Sequence, residues 1–297
     1  MRTAVVVNRA AASGRARDVW QRAVASHSDF AAEQVVETDT PDQASERLRA
    51  CLNDGIERIV VVGGDGTIHL AANEILAGNA GERVVLGIVP AGTGSDLART
   101  LGLARRAEEG LARIRTRPAR RIDVLELRTD DGRERYVINV ASAGLSGLVD
   151  AMVNAMPTRG ALAYLQATLR ALRQYQPARC RIQVDGAPFF SGAIFLAAIG
   201  NGTTFGRGMR ITPQARLDDG LADVVVVPAI GTLRVLLRMP QLYRGTHLEH
   251  PSVRYVRGRE IRFEPIDPLP PFDLDGETFA SGAASWRVRP AALTVAG

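Results

Sequence analysis

The sequence predicts an α/β fold in which a Rossmann-like domain is followed by a mostly antiparallel β-sandwich domain. Apolar runs at residues 59–62 and 84–89 each end in a glycine-rich turn, and a helical pattern follows each turn. From about residue 124 the chain changes to short β-type segments separated by turns. We therefore place the domains at residues 1–122 and 123–284, and leave open a return of residues 285–297 to the first domain.

Composition narrows the class of protein. The chain has 297 residues, of which 46 % are hydrophobic and 23 % charged, as in an ordinary globular protein. It contains no lysine, which excludes a P-loop kinase because the Walker A motif needs one. The net charge of +5 suits nucleic acid, an anionic membrane or a coding bias. Because the few aromatic residues do not alternate with arginines, we expect no nucleic-acid partner.

Cysteine content and hydrophobic runs indicate a cytoplasmic protein. Cys51 and Cys180 lie far apart without C-x-x-C spacing, so neither a zinc site nor a disulfide framework is predicted. No run approaches the roughly 18 apolar residues of a transmembrane helix. The apolar run near the N-terminus is too short for a signal peptide.

The first glycine-rich turn has the features of a phosphate site. It reads GGDGT and consists of Gly63, Gly64, Asp65, Gly66 and Thr67. The predicted helix at residues 68–76 would direct its free N–H groups and positive dipole end at a bound anion. A carboxylate at Asp65 would repel a phosphate unless a cation lay between them, which indicates Mg²⁺ held against a nucleotide. The alternative is a glycine turn that serves packing alone.

A second turn favours the nucleotide interpretation. It reads PAGTGSD over residues 90–96 and includes Thr93 and Asp96. Two strand–turn–helix units in succession would place both turns at the C-terminal edge of one parallel sheet. We therefore expect a nucleotide site at that edge.

Together, GGDGT and PAGTGSDLART resemble the diacylglycerol kinase catalytic domain of bacterial lipid kinases, sphingosine kinases and ceramide kinases. The resemblance covers nearly the whole chain, because residues 201–209, 213–223 and 275–277 also follow the family pattern. It implies an ATP- and Mg²⁺-dependent kinase with its active site between two domains. The γ-phosphoryl group would pass to a hydroxyl of diacylglycerol or a related lipid. The enzyme would contact the inner face of the membrane peripherally, and a homodimer is left open.

The resemblance implies roles for residues of the first domain. Those that would contact ATP are Asn8, Ser13, Gly14, Thr38, Gly63, Gly64, Asp65, Gly66, Thr67 and Thr93. Asp65, Asp96 and Asp123 would surround a hydrated Mg²⁺ that orients the γ-phosphate. Without the resemblance, Asp123 is a solvated residue at a strand end. The family usually has NPxSG in the first loop, where this chain has Arg9 in place of proline and a longer loop.

The resemblance also implies roles in the second domain. Glu277 of the DGE motif would be the general base that takes the proton from the acceptor hydroxyl. From the residues alone, Asp275 and Gly276 form a hairpin turn that leaves Glu277 solvated. The carbonyls of Arg216 and Leu221, with Asp219, would hold a structural Mg²⁺. The alternative there is a tight Asp-Asp-Gly turn.

A helix is predicted over residues 161–174. It has four leucines at helical spacing, and its arginines are placed on the other face. The leucines are Leu162, Leu165, Leu169 and Leu172. Core packing of any one of these leucines is favoured over contact with a lipid chain.

Two departures from the family pattern leave alternatives open. His69 and Leu70 stand where Asn and Glu usually follow GGDGT, and Ser95 replaces an asparagine. Histidine can still donate a hydrogen bond, but leucine cannot replace a carboxylate. One alternative is a NAD-kinase-like transferase acting on a soluble nucleotide, against which GTGSD and the late DGE argue. The other is a catalytically weak nucleotide or lipid sensor.

Overall fold

The computed structural model describes residues 1–27, 29–91, 96–104, 106–156, 161–229 and 232–297, without the side chains of residues 13, 161 and 232–237. The chain divides into two compact units. The first comprises Met1–Val124 together with Arg289–Gly297, and the second comprises Leu125–Val288. The sequence placed these boundaries at residues 122 and 285.

The first part of the chain alternates strands and helices. Its elements are β1 (Thr3–Asn8), α1 (Ala11–Gly14), α2 (Ala16–Ala25), β2 (Gln34–Thr38), α3 (Pro41–Asn53), β3 (Arg58–Gly63), α4 (Asp65–Ala77), β4 (Val85–Pro90), α5 (Asp96–Leu101) and α6 (Ala107–Thr116).

The remainder is richer in strands. Its elements are β5 (Arg120–Thr129), β6 (Glu134–Val137), β7 (Val140–Gly144), α7 (Leu145–Asn154), α8 (Ala161–Gln174), β8 (Ala178–Val184), β9 (Ala187–Gly200), β10 (Ala222–Pro228), α9 (Thr232–Arg244), a 3₁₀ helix (His247–Glu249), β11 (Arg254–Gly258), β12 (Glu260–Pro265), β13 (Phe272–Leu274), β14 (Glu277–Phe279) and β15 (Ala284–Ala296). Within the described ranges, no helix is long and apolar enough to cross a membrane.

The first unit contains a parallel sheet in the order β2-β1-β3-β4-β15. Its central strands are buried and rich in valine, as expected for a sheet covered on both faces. The last residues of β1 and β2, Asn8 and Thr38, pair in register, and so do Gly63 and Pro90 at the ends of β3 and β4. The strand order reverses between β1 and β3. In α/β sheets such a switch point lies beside the ligand site.

The second unit is mostly antiparallel. Its strands follow the order β14-β13-β7-β9-β8-β12-β15, and β10 pairs with both β9 and β11. The core includes Phe263, Phe272 and Trp286, whose rings meet edge to face with centroids 5.1 to 6.3 Å apart. Strands β5 and β6 pair as an antiparallel hairpin. The predicted fold class is confirmed.

Several local predictions were wrong. Helix α1 lies in what was predicted to be an open first loop, and α4 begins at Asp65, so residues 65–67 are helical. Helix α9 was not predicted, because Pro240 inside it obscures a segment of otherwise good helix formers. Residues 284–296, in the segment whose return to the first domain was left open, form the single strand β15.

Candidate active site

Polar side chains meet at the C-terminal edge of the parallel sheet. The side-chain amide of Asn8 donates a 2.9 Å hydrogen bond to Thr67 Oγ1 in the first turn of α4. Asn8 Oδ1 accepts a 3.0 Å hydrogen bond from the N–H of Ala10. Thr38 is buried next to Asn8 in the sheet register. The structure therefore brings three of the predicted ATP contacts, Asn8, Thr38 and Thr67, to one edge.

The first turn of α4 is open to an anion. Gly64 is the N-cap, and no described side chain caps the helix, so N–H groups of its first turn face the sheet edge. A Cβ on Gly63 would lie 2.5 Å from Thr67 Oγ1, which explains glycine at the strand end. A Cβ on Gly64 would meet none of the described atoms within 4 Å. This geometry fits a phosphate group.

The two acidic turns are in contact. Asp65 Oδ2 accepts a 2.8 Å hydrogen bond from the N–H of Asp96. Asp96 is buried, and its Oδ1 pairs with Arg99 at 2.6 Å. Asp123 is also buried, and its Oδ1 accepts a 2.7 Å hydrogen bond from the N–H of Ala291. Asp123 is therefore not the solvated residue that the local sequence suggested.

Carboxylate oxygens of this kind are ligands that Mg²⁺ prefers. No group of three or more His, Cys, Asp or Glu side chains in the described ranges is placed to hold a metal ion directly. The hydrogen bond from the N–H of Asp96 to Asp65 brings two of the three predicted carboxylates together, and these two could hold a hydrated ion through water. Binding of Mg²⁺ by these residues stays a prediction.

Some of the other residues predicted for the nucleotide site lie in the described part of the chain and some do not. Thr93 lies outside the described residues, as does the side chain of Ser13. Gly14 ends α1 with φ +84°, a conformation that favours glycine. Gly66 is the second residue of α4. His69 is buried, and its Nε2 lies 3.2 Å from Asn73 Nδ2 one helical turn along.

The candidate base lies on a hairpin in the second unit. Asp275 and Gly276, with φ of +56° and +90°, form the tight turn between β13 and β14. The Asp275 carboxylate accepts hydrogen bonds of 2.9 to 3.0 Å from the N–H groups of residues 138–140. The turn that the local sequence suggested is present, and it holds Glu277 half-buried rather than fully solvated.

Two acidic side chains that were not predicted lie next to Glu277. Asp273 is buried; its Oδ1 accepts a 2.8 Å hydrogen bond from the N–H of Gly276, and its Oδ2 lies 3.0 Å from Ser142 Oγ. Asp150 of α7 lies close enough to Asp273 and Glu277 to be repelled by both, and its buried Oδ2 atom has no hydrogen-bond partner among the described residues.

Burial raises the pKa of both members of this acidic pair. Burial, followed by repulsion from Asp273 and Glu277, raises the pKa of Asp150 to about 10. Burial also raises the pKa of Asp273. At neutral pH Asp150 is therefore protonated and uncharged.

An apolar cavity of about 370 Å³ lies in the second unit. Its walls come from α7, α8, β9 and α9, through residues such as Val149, Leu172, Phe195 and Leu242. Ser146 also lines it, and Ser146 Oγ lies 2.8 Å from the Ser142 Oγ that contacts the acidic pair. A cavity of apolar character is thereby joined by hydrogen bonds to the hairpin that carries Glu277.

The predicted second metal site does not fit a cation at its carboxylate. Asp219 Oδ1 accepts a 3.1 Å hydrogen bond from the N–H of Leu221. Asp219 Oδ2 pairs with Arg257, which also pairs with the buried Asp223 at 3.3 Å. Because a guanidinium already neutralises both carboxylates, Mg²⁺ would have to displace it. Metal binding by Arg216, Asp219 and Leu221 stays a prediction from the resemblance alone.

Two protein-family models match the chain and together cover most of it. The "Diacylglycerol kinase catalytic domain" matches residues 2–127. The "YegS C-terminal NAD kinase beta sandwich-like domain" matches residues 139–297.

Individual relatives agree with these matches. The chain is 31 % identical over 233 residues to "Diacylglycerol kinase" of Mycobacterium tuberculosis (strain CDC 1551 / Oshkosh), covering 78 % of this chain and 74 % of the relative. It is 30 % identical over 256 residues to "Probable lipid kinase YegS-like" of Pseudomonas putida, covering 84 % of this chain and 80 % of the relative. The crystal structure of a diacylglycerol kinase from Bacillus anthracis str. Sterne superposes with a TM-score of 0.74 at 18 % identity, covering 99 % of this chain and 96 % of that one. At this identity the superposition supports the fold alone.

Proposed function

Because this chain belongs to the diacylglycerol kinase catalytic domain family and is a lipid kinase, we propose that it transfers the γ-phosphoryl group of ATP to a hydroxyl of diacylglycerol or a related lipid. The observation that carries this proposal is the apolar cavity, which hydrogen bonds through Ser146 and Ser142 connect to the acidic pair next to Glu277. The apolar side chains that line this cavity suit an acyl chain, which gains by leaving water.

The first unit would hold the donor. The ATP phosphates would bind at the first turn of α4, where Gly64 leaves space and Thr67 is fixed by Asn8. Bound Mg²⁺ would neutralise phosphate charge, and Asp65 and Asp96 would hold it through water. Arg99, paired with Asp96, keeps that carboxylate in place.

The second unit would hold the acceptor. The cavity would take an acyl chain, and Glu277 would remove the proton of the lipid hydroxyl as it attacks the γ-phosphate. Asp275 anchors the hairpin that carries Glu277, and Asp273 binds its turn through the N–H of Gly276.

The test is label transfer from γ-labelled ATP in the presence of Mg²⁺. Mixed micelles would contain diacylglycerol, monoacylglycerol, ceramide or sphingosine, and soluble NAD would be assayed in parallel. We expect label in diacylglycerol or a related lipid, reduced by roughly 10²- to 10⁴-fold in Glu277→Gln. Glu264→Gln, which alters a half-buried glutamate on β12, is the matched control and should retain activity. Label in NAD and in none of the lipids would replace the proposal with a NAD-kinase-like activity.

A further inference from the structure

Helix α8 buries its small residues and exposes its large ones. Its buried stripe packs against α7 and consists of Ala163, Ala167 and Ala171. Its exposed stripe consists of Leu162, Leu165 and Leu169, which are 68, 54 and 44 % exposed. Of the four leucines predicted to favour the core, only Leu172 is buried. The alanines allow α7 and α8 to approach closely, and this turns the leucines outward.

Three adjacent exposed leucines on one helix face are unusual for a surface that meets only water. The apolar patch is extended by α9, where Tyr243 is 50 % exposed. Leu165 and Tyr243 also line the apolar cavity, so the cavity and the patch share these two side chains. The exposed surface is therefore continuous with the candidate acceptor site.

The charge around this patch is positive. Arg170 and Arg173 are exposed on the solvent-facing side of α8, together with the leucines rather than opposite them as predicted. Arg244 at the end of α9 is exposed as well. Neither α8 nor α9 contains an acidic residue. The partner that matches leucines flanked by arginines combines an apolar interior with anionic surface groups.

We propose that the exposed face of α8, defined by Leu162, Leu165, Leu169, Arg170 and Arg173, docks on an anionic lipid bilayer. The leucines enter the boundary between head groups and acyl chains, and the arginines contact lipid phosphates. A second copy of this chain is a poorer occupant, because a two-fold contact would bring the same arginines together without acidic partners on the helix. The proposal rests on the proposed function, since docking would let the acceptor lipid reach the cavity.

The experiment is co-sedimentation of the full chain with vesicles, without ATP. One set of vesicles contains equal parts of phosphatidylglycerol and phosphatidylcholine, and the other contains phosphatidylcholine alone. We expect wild type to bind the anionic vesicles. Leu162→Gln with Leu169→Gln should weaken binding by at least about tenfold, because apolar burial is lost. Arg170→Gln with Arg173→Gln should weaken it by about 30-fold at low salt, from about 1 kcal/mol for each arginine.

Matched controls distinguish binding through the exposed face of α8 from non-specific binding to vesicles. Ile266→Gln removes an exposed apolar side chain elsewhere on the second unit, and Arg181→Gln removes an exposed arginine there. Both should bind vesicles as wild type does. The altered side chains are all exposed, so thermal unfolding of each variant should match wild type and confirm that it is folded.

The outcomes distinguish this proposal from the proposed function. Both α8 variants should still phosphorylate short-chain diacylglycerol dispersed as monomers while losing activity on vesicles. Wild-type vesicle binding that the α8 variants lose supports the docking surface even if no lipid is phosphorylated. Absence of wild-type binding, or variants that bind as tightly as wild type, overturns the docking surface even if the kinase activity is found. A wild-type dimer that the leucine variant dissociates, without vesicle binding, also overturns it and assigns the face to a second copy.

Discussion

Replacing Asp150 by asparagine should remove a pH dependence of folding stability. In the folded protein burial raises the pKa of Asp150 to about 10, whereas its ordinary value is 3.8. Between these values the folded state binds one proton more than the unfolded state, so the free energy of unfolding falls as pH rises. Stability from this group is fully present below about pH 4 and is lost progressively as the pH rises towards 10.

The magnitude follows from the proton difference. One additional bound proton changes the free energy of unfolding by about 1.4 kcal/mol per pH unit. Between the ordinary pKa of 3.8 and pH 7, the loss amounts to about 4 kcal/mol. This is large against a typical stability of about 5–15 kcal/mol. Asparagine has the same shape and can donate to Asp273 without taking up a proton, so Asp150→Asn should exceed wild type in stability at pH 7.

The assay is urea unfolding of wild type and Asp150→Asn at intervals between pH 5 and 8. The difference in unfolding free energy should grow with pH at about 1.4 kcal/mol per unit. Asp267→Asn is the control, because Arg179 lowers the pKa of Asp267 to about 2. The stabilisation that Asp267 contributes is present above about pH 4 and is lost only as the pH falls towards 2. Asp267→Asn should therefore not alter how the unfolding free energy changes between pH 5 and 8. Parallel lines for wild type and Asp150→Asn would refute the raised pKa of Asp150.

Three further substitutions test the candidate site and the second unit. Gly63→Ala places a Cβ 2.5 Å from Thr67 Oγ1, so it should lower the free energy of unfolding by about 1–3 kcal/mol, measured by thermal unfolding. Gly64→Ala places its Cβ in open space, so it should keep the melting temperature and weaken ATP binding measured by calorimetry. Arg257→Gln leaves the fully buried Asp223 without its cation and should lower the unfolding free energy by about 2 kcal/mol, whatever the Mg²⁺ concentration. A rise in wild-type melting temperature on adding Mg²⁺ would instead support a structural metal in this unit.

The sheet edge could be predicted because its signals are local. A buried valine run followed by glycines fixes a strand end, and parallel strands bring their C-terminal ends to the same edge. Thr67 could be placed there from the sequence for this reason, whereas Asn8 and Thr38 were assigned to the site through the family resemblance. The hydrogen bond from Asn8 to Thr67 could not be predicted, because it depends on how closely the first turn of α4 lies to the end of β1. The turn formed by Asp275 and Gly276 could also be predicted from the sequence. Its role in holding Glu277 half-buried could not.

The acidic pair next to Glu277 left only a weak signal in the sequence. Asp150 lies on α7 and Asp273 on β13, far apart along the chain, and each alone looks like an ordinary polar residue. Only the antiparallel pairing of β13 with β7, and the packing of α7 on them, brings the two carboxyl groups together. Proximity to the DGE motif is the one clue that could have directed attention to Asp273.

Helix α8 shows why periodicity alone cannot assign a buried face. Its sequence contains two apolar stripes, one of alanine and one of leucine, and both repeat at helical spacing. Burying the leucines would gain more by transfer from water, so a local argument selects them for the core. The fold selects the alanines, because close packing against α7 requires small side chains. Functional surfaces are expected where local sequence preference and the fold disagree. In α8 this disagreement leaves exposed leucines and arginines next to a cavity suited to a lipid.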